Sequence, residues 1–344
     1  MTKYYDGTKL LSMKDINGET PEIFICTSNR SAGKTTYFGR LEVNRFKKAG
    51  KKFGLLYRWD YELDDVADKF FKDIGSLFFP DDTMTSKRYG KVFSYLYLND
   101  ECCGYAFALN KADAIKKLSH LFSDVDSILF DEFQSETNHY CPNEVTKFQS
   151  IHTSIARGQN KQVRYVPVYM VSNPVSVINP YYVDFNISSR INNKMRFLRA
   201  EGLVLEQGFN ESASNAQKQS AFNRAFNNSE YLAYSAENVY LNDNTAFIEP
   251  PSRVSSTYLG TIRYMGKNYG IRAYRDLGII YCDNHPDNTF PLRVSVTTDD
   301  HDINYVMLRQ SDNFISSLRF YFEHGAFRFK DLKCKEAVMK CISY

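Results

Sequence analysis

Between a buried apolar run and an amphipathic helical pattern stands the loop Ser28-Asn29-Arg30-Ser31-Ala32-Gly33-Lys34-Thr35. It restricts the fold more than any other feature, because such a loop works only with a strand before it and a helix N-terminus after it. Glu22-Ile23-Phe24-Ile25-Cys26-Thr27 is apolar and partly β-branched, and reads as the strand. From Thr35 to Ala49, Phe38, Leu41 and Phe46 fall on or near one helical face, with Gly50 as the stop signal. Phe53–Tyr57 then reads as a second strand. Strand, loop, helix and strand make a βαβ unit, so the fold class is α/β with a parallel sheet.

The loop fits G-x-x-x-x-G-K-[ST] except that Ser28 replaces the first glycine. Gly33 lets backbone amides approach phosphate, Lys34 brings a cation to the β/γ phosphates, and the Thr35 hydroxyl suits Mg²⁺. The helix N-terminus adds its own attraction for the anion. Serine at position 28 makes the loop less permissive if a left-handed backbone is needed there.

A hundred residues on, the apolar Ile128-Leu129-Phe130 ends in Asp131-Glu132. A carboxylate at a strand end can support the metal, and the next can orient or deprotonate water. Val163–Val171 reads as a further strand, although Pro167 is at odds with one. It ends in Ser172-Asn173, where Asn173 either senses the γ-phosphate or forms a turn before Pro174. Pro142 opens a helix with the stripe Val145, Phe148, Ile151 and Ile155. Arg157 follows it, as a cation reaching a neighbour's nucleotide or as a solvated helix end.

Asn110 and Lys111 open another helix, with Ala114, Ile115, Leu118 and Leu121 at helical spacing. Residues 206–245 are rich in Asn, Ser, Ala and Gln and read as a linker with some helical character. Beyond them, Tyr258–Tyr264, Tyr269–Tyr274 and Ile279–Cys282 alternate as antiparallel strands, with a turn at Gly266-Lys267-Asn268. Helices are expected over Asn313–Tyr321 and Lys333–Ile342. The expected domains are therefore 1–205 and 246–344, joined by 206–245.

Composition sets limits. The 43% hydrophobic and 24% charged residues exclude wholesale disorder. No apolar run reaches the roughly 18 residues of a membrane span, and no secretory signal is readable. The seven cysteines form no C-x-x-C pair, which argues for reduced thiols in a cytosolic protein rather than a zinc site. A net charge of +3 says little, but 34–58 carries eight Lys/Arg against Glu42 alone, a local +7. Such a run suits DNA phosphates as well as a solvated helix face.

Asn29–Thr35, Val43–Gly50, Ile128–Phe133, Pro142–Val145 and Val171–Pro180 together resemble the DNA-encapsidation ATPases of phi29-type tailed bacteriophages. Thr297-Thr298-Asp299-Asp300 is similar to that family's pattern further on. The resemblance spans nearly the whole chain. It implies an additional-strand P-loop ATPase domain and a smaller α+β, RNase H-like C-terminal domain without nuclease activity. It further implies ATP and Mg²⁺ as cofactors, and a homo-oligomeric ring, a pentamer, moving double-stranded DNA. The ring would sit at the portal vertex of a procapsid in the host cytoplasm, with a structural packaging RNA as a further partner and no membrane. By resemblance Asn29, Arg30, Ser31, Ala32, Gly33, Lys34 and Thr35 hold the nucleotide, and Thr35 and Asp131 the metal. Glu132 activates water, Asn173 couples hydrolysis to motion, and Arg157 is the trans-acting finger, with Lys161 and Arg164 as competitors. Two other readings stand beside it. One is a large terminase with a working nuclease, for which Asp276, Asp283, Asp299, Asp300 and Asp302 are available. The other is a nucleotide-gated clamp or portal adaptor without turnover, which would have no need of Glu132.

Overall fold

Strand β1 (Ile23–Thr27) is buried almost throughout, as the middle of a parallel sheet covered on both faces requires. The computed structural model describes residues 4–159, 161–191, 195–226, 230–237, 247, 254–309 and 311–343. They form two units. The first comprises Met1–Gln134, Glu144–Pro174 and Asn192–Val239. Its strands are β1, β2 (Lys52–Tyr57), β3 (Met84–Tyr89), β4 (Phe93–Leu98), β5 (Glu101–Ala108), β6 (Val125–Asp131), β7 (Val168–Ser172), β8 (Phe197–Ala200) and β9 (Leu203–Gln207).

They make one sheet in the order β3-β4-β5-β2-β6-β7-β1-β9-β8. The six strands from β5 to β9 in that order run parallel, and antiparallel hairpins close both edges. β7 lies between β1 and β6, which is the additional-strand arrangement. Register brings Thr27 beside Ser172, and Asp131 beside Val171, so three strand ends meet at one crevice. Ligands of open parallel sheets bind outside the carboxyl ends of strands.

The Lys34–Ala49 helix lays Phe38, Val43 and Phe46 on this sheet, with Phe38 stacked 5.2 Å from Tyr169. Gly39 lets the Val66–Phe78 helix come close, since a Cβ there would stand 2.3 Å from Ile74 Cδ1. Gly50 ends the helix in the left-handed region (φ 63°), its N–H bonded to Phe46 O.

Several expectations need correction. The helix expected from Asn110 is three short pieces, Leu109–Lys111, Ala112–Lys117 and Ser119–Phe122. β7 begins only at Val168, because Pro167 has no N–H for the ladder, and Val163 is exposed. The expected linker is largely structured where described, and it groups with the first unit up to Val239. After β9 come helices Glu211–Gln219, Ala221–Arg224 and Glu230–Glu237. Asn210 and Ser220 cap the first two, each side chain accepting a backbone N–H. Residues 238–246 lie outside the described residues.

The second unit comprises Ser135–Asn143, Val175–Ile191 and Tyr240–Tyr344, so the boundaries expected at 205 and 246 are not those the contacts draw. Val183 and Ile178 join its apolar core with Ile262, Ile271, Cys282, Phe329 and Val338, which is why that early segment belongs here. Its strands are β10 (Thr257–Tyr264), β11 (Lys267–Tyr274), β12 (Ile279–Asp283), β13 (Arg293–Ser295) and β14 (Phe327–Phe329), in the order β13-β10-β11-β12-β14. β10 to β12 form the expected antiparallel meander, with β13 parallel on β10 and β14 parallel beside β12. The hairpin turns at Met265-Gly266, both with positive φ, and β11 already begins at Lys267.

Candidate active site

The phosphate loop leaves β1 at Thr27 and turns through two left-handed residues, Ser31 (φ 60°) and Gly33 (φ 92°). Ser28 is not among the positive-φ residues, so the missing first glycine puts no strain at that position. Lys34 is buried (7% exposed), and its ammonium donates to Ser28 O (2.9 Å), Asn29 O (3.2 Å) and Asn173 Oδ1 (3.1 Å). Burial lowers its pKa, against the attraction of neighbouring anionic groups including Asp131. An ammonium ringed by three uncharged oxygen acceptors is ready for a charged one, such as a phosphate oxygen.

Thr35 Oγ1 donates to Asp131 Oδ1 (3.2 Å), which also accepts the Glu132 N–H (3.0 Å). Burial and then the adjacent Glu132 push the Asp131 carboxyl up to about 6, opposed by Thr35 and Lys34. The hydroxyl and carboxylate offer the hard oxygen donors that Mg²⁺ prefers, so this pair fits the metal. Glu132 projects an exposed side chain from a left-handed backbone (φ 53°), a conformation that costs about 1–3 kcal/mol and must be held by its surroundings.

What holds it was not read in the sequence. Arg58, just past β2, donates to Phe133 O (2.7 Å) and reaches Glu132 O (3.4 Å). The same guanidinium donates through Nε to both Glu144 oxygens (3.1 and 2.9 Å), and both residues are buried. An arginine at the carboxyl end of a strand pairing with β6 was the available signal, but it was counted in the basic run.

The polar segment after β9 closes on the loop. Asn29, fully buried, donates to Asn210 O (3.0 Å) and accepts from Asn210 N (2.9 Å). Arg30 N donates to Ser235 O, and Tyr5 N to Ala32 O. The Asn29 side chain is thus a clasp for this segment, while Asn173 Oδ1 accepts from Lys34.

Arg157 is not brought to this site. It is exposed beyond the Glu144–Ile155 helix, and Gly158 next to it packs on Ser123, just before β6 begins, at the end of that strand away from Asp131. Of its competitors, Lys161 is exposed, whereas Arg164 is buried and donates to Val125 O and Ile155 O, a structural role.

The basic run is not a free cationic stripe. Lys34 and Arg58 belong to the site, Lys47 pairs with Asp82, Lys52 with Asp124, and Arg40 lies over the Phe78 ring. Lys48 and Lys51 stay exposed at the helix end.

In the second unit two of the five candidate nuclease carboxylates, Asp283 and Asp300, serve the fold, while Asp276 and Asp299 are exposed. Asp283 accepts from Arg272 Nε (2.9 Å) and His285 N (2.8 Å). Asp300 is buried rather than solvated, accepting from Met265 N, Gly266 N and Thr297 Oγ1, so it braces the hairpin turn. Among the described residues, no three His, Cys, Asp or Glu side chains gather to hold a metal ion.

Comparison with known proteins agrees with this geometry. Residues 1–342 match the family model described as podovirus DNA encapsidation protein (Gp16). The DNA packaging protein of Bacillus phage phi29 is 28% identical over 330 residues, covering 95% of this chain and 93% of that protein. The solved structure of the bacteriophage Phi-29 viral genome packaging motor assembly superposes with a TM-score of 0.55 at 24% identity, covering 99% and 98% of the two chains. The Phi-28 gp11 DNA packaging motor gives 0.58 at 15% identity, covering 100% and 97%. At these identities the structures speak for the fold, while the match along nearly the full length places this chain in the podovirus DNA encapsidation protein (Gp16) family.

Proposed function

We propose that this chain is an ATP-driven motor that moves double-stranded DNA into a viral procapsid as a homo-oligomeric ring, expected to be a pentamer. It would act in the host cytoplasm, docked at the portal vertex, with a structural packaging RNA as a further partner. The carrying observation is the meeting of Lys34, Thr35, Asp131, Glu132 and Asn173 at adjacent ends of parallel strands. Family membership and the phage packaging relatives support the cargo. The engaged Asp283 and Asp300 favour a motor over a terminase with a working nuclease.

In this reading the loop amides and Lys34 hold the β- and γ-phosphates, and the Lys34 ammonium exchanges its protein oxygens for phosphate oxygens. Thr35 and Asp131 would hold Mg²⁺, which offsets charge on the phosphate oxygens. Glu132 orients the attacking water and accepts its proton. Asn173, released by Lys34, reports the filled site to the end of β7. Arg157 is the proposed trans-acting cation, since its own subunit's site leaves it unused. The test is steady-state ATP hydrolysis with procapsids and duplex DNA, separately and together. Stimulation by the pair that disappears in Lys34→Ala is expected; turnover indifferent to both would overturn the motor reading.

A further inference from the structure

Before it enters the sheet, the chain passes over the phosphate loop. Residues 4–12 form a short strap: its helix, Thr8–Ser12, sinks Leu10 into the core of the first unit, and Tyr4 and Tyr5 lie on the loop. We infer that Tyr5 is a positioning residue of the phosphate site, holding the Ala32–Gly33 peptide so that its N–H is turned to the phosphates. The inference rests on the phosphate-loop reading and adds the part that sets the loop's shape from outside.

One peptide plane carries the geometry. Tyr5 N donates to Ala32 O (2.8 Å). In a planar trans peptide the carbonyl and the N–H that follows it point in opposite directions. With Ala32 O turned to the strap, the Gly33 N–H points away from it. That is the side open to an anion, because the strap side is filled: a Cβ on Gly33 would stand 3.1 Å from Tyr4 Cδ1. Gly33 is left-handed (φ 92°) and caps the Lys34–Ala49 helix, so tilting this one peptide turns a donor out of the anion nest.

Tyr5 is itself held on several sides. Its hydroxyl donates to Glu206 Oε2 (2.8 Å), while Glu206 Oε1 accepts from Arg196 Nε and Nη2 (3.2 and 3.1 Å). Glu206 is buried on β9, and register pairs it with Cys26 of β1, two residues before the loop. Burial, with Cys26 and Glu206 beside it, raises the phenol's pKa, so the hydroxyl stays a donor. The Tyr5 ring meets Tyr37 edge-on (5.5 Å) and Phe38 at a tilt (6.1 Å), both near the start of the helix that follows the loop. Gly7 lets the strap come down on that helix, since a Cβ there would stand 2.6 Å from Tyr37 Cε1. One residue thus spans β9, the loop and the helix. The earlier half of the loop is fastened separately, by the Asn29–Asn210 and Arg30–Ser235 hydrogen bonds, and Tyr5 supplies the anchor for the later half.

The test is calorimetric binding of ATP and of inorganic tripolyphosphate, each with Mg²⁺, to the full-length chain and three variants, with folding checked by circular dichroism. Tyr5→Ala removes the anchor. It should weaken both ligands in parallel by about tenfold, the worth of one well-aimed hydrogen bond to a charged group. Tyr5→Phe keeps the ring packed and loses only the bond to Glu206. It should recover most of that affinity, staying about threefold below wild type, and it decides the matter if Tyr5→Ala does not fold. Phe71→Ala, a buried aromatic of the Val66–Phe78 helix, is the control for lost stability alone and should bind both ligands at wild-type strength. Wild-type affinity in Tyr5→Phe and in any folded Tyr5→Ala, or an equal loss in Phe71→Ala, would overturn the inference. A loss for ATP without one for tripolyphosphate would place the effect away from the phosphates and overturn it as well. Wild-type protein that binds neither ligand would overturn the phosphate-loop reading itself.

Discussion

Both units place carboxylates at the ends of strands and treat them in opposite ways. In the first, Asp131 and Glu132 are adjacent, and one is pushed toward neutrality by burial against the pull of Lys34. Glu132 also sits on a strained backbone. In the second, Asp283 has an arginine, and Asp300 accepts from two backbone amides and a hydroxyl. The difference teaches that burial and position alone do not make a reactive carboxylate; unmet bonding capacity does. A fully bonded carboxylate contributes to stability, whereas a poorly bonded one stays available for a metal or a proton.

The contrast breaks most sharply at Glu132. Glu132→Gln should lower turnover by about 10²–10⁴ with ATP affinity near wild type, because losing general-base help costs that much. Wild-type turnover would remove Glu132 from its role. Next comes the support beneath it. Arg58→Ala leaves Glu144 buried without its cation, which costs about 3–5 kcal/mol of stability by urea unfolding. Turnover should fall as well, through the freed Glu132 backbone, and unchanged unfolding would deny that the pair is structural.

In the second unit, Asp300→Ala should cost roughly 1–3 kcal/mol, the usual penalty for stranding bonded donors. The unmutated chain should leave supercoiled DNA uncut in Mg²⁺ and in Mn²⁺; cleavage lost in this variant would restore the nuclease reading.

Glu42 is a carboxylate between the two extremes, and its effect shows only at high pH. It is buried, accepts from Ser127 Oγ (2.7 Å), and lies 3.5 Å from Arg45. Burial pushes its carboxyl from 4.5 up to about 7. Unfolding therefore releases a proton in that window. The contribution of this group is fully present below about pH 4.5 and is lost as the pH rises through about 7. Glu42→Gln should gain up to about 3 kcal/mol over the parent at pH 8 and little at pH 4.5. Equal gains at both values would reject the titration.

The sheet centre and the nucleotide end of the site were legible because strand, loop and helix there have strong local patterns. β1, β2 and β6 are short apolar runs, and the Gly33-Lys34-Thr35 signal stands between two of them. The edge hairpin β3–β4 escaped because its outer strand has a wet face and its alternation is diluted by tyrosine, lysine and arginine, and β8–β9 because its strands are only four and five residues long. The roles of Arg58 and of the Asn29 side chain were missed for a different reason. Their partners Glu144 and Asn210 are distant in sequence, and nothing local tells a buried arginine from a solvated one. The 206–245 segment looked like a linker because, among its described residues, the buried side chains beside Leu232 are the small Ala213, Ser214, Ser235 and Ala236, which make only a weak apolar stripe.

The position of β1 between late-coming neighbours has a consequence for biosynthesis. Ile23 pairs with Val168 on one side and with Leu203 on the other. Emerging early from the ribosome, β1 must wait with both hydrogen-bonding edges open while most of the first unit is still being made. Sheets closed by such distant pairings form slowly and leave apolar edges exposed to aggregation. Chains interrupted before Leu203 would keep an apolar strand with one bare edge, so truncated products of this protein should be insoluble and folding should be rate-limited by the arrival of β9.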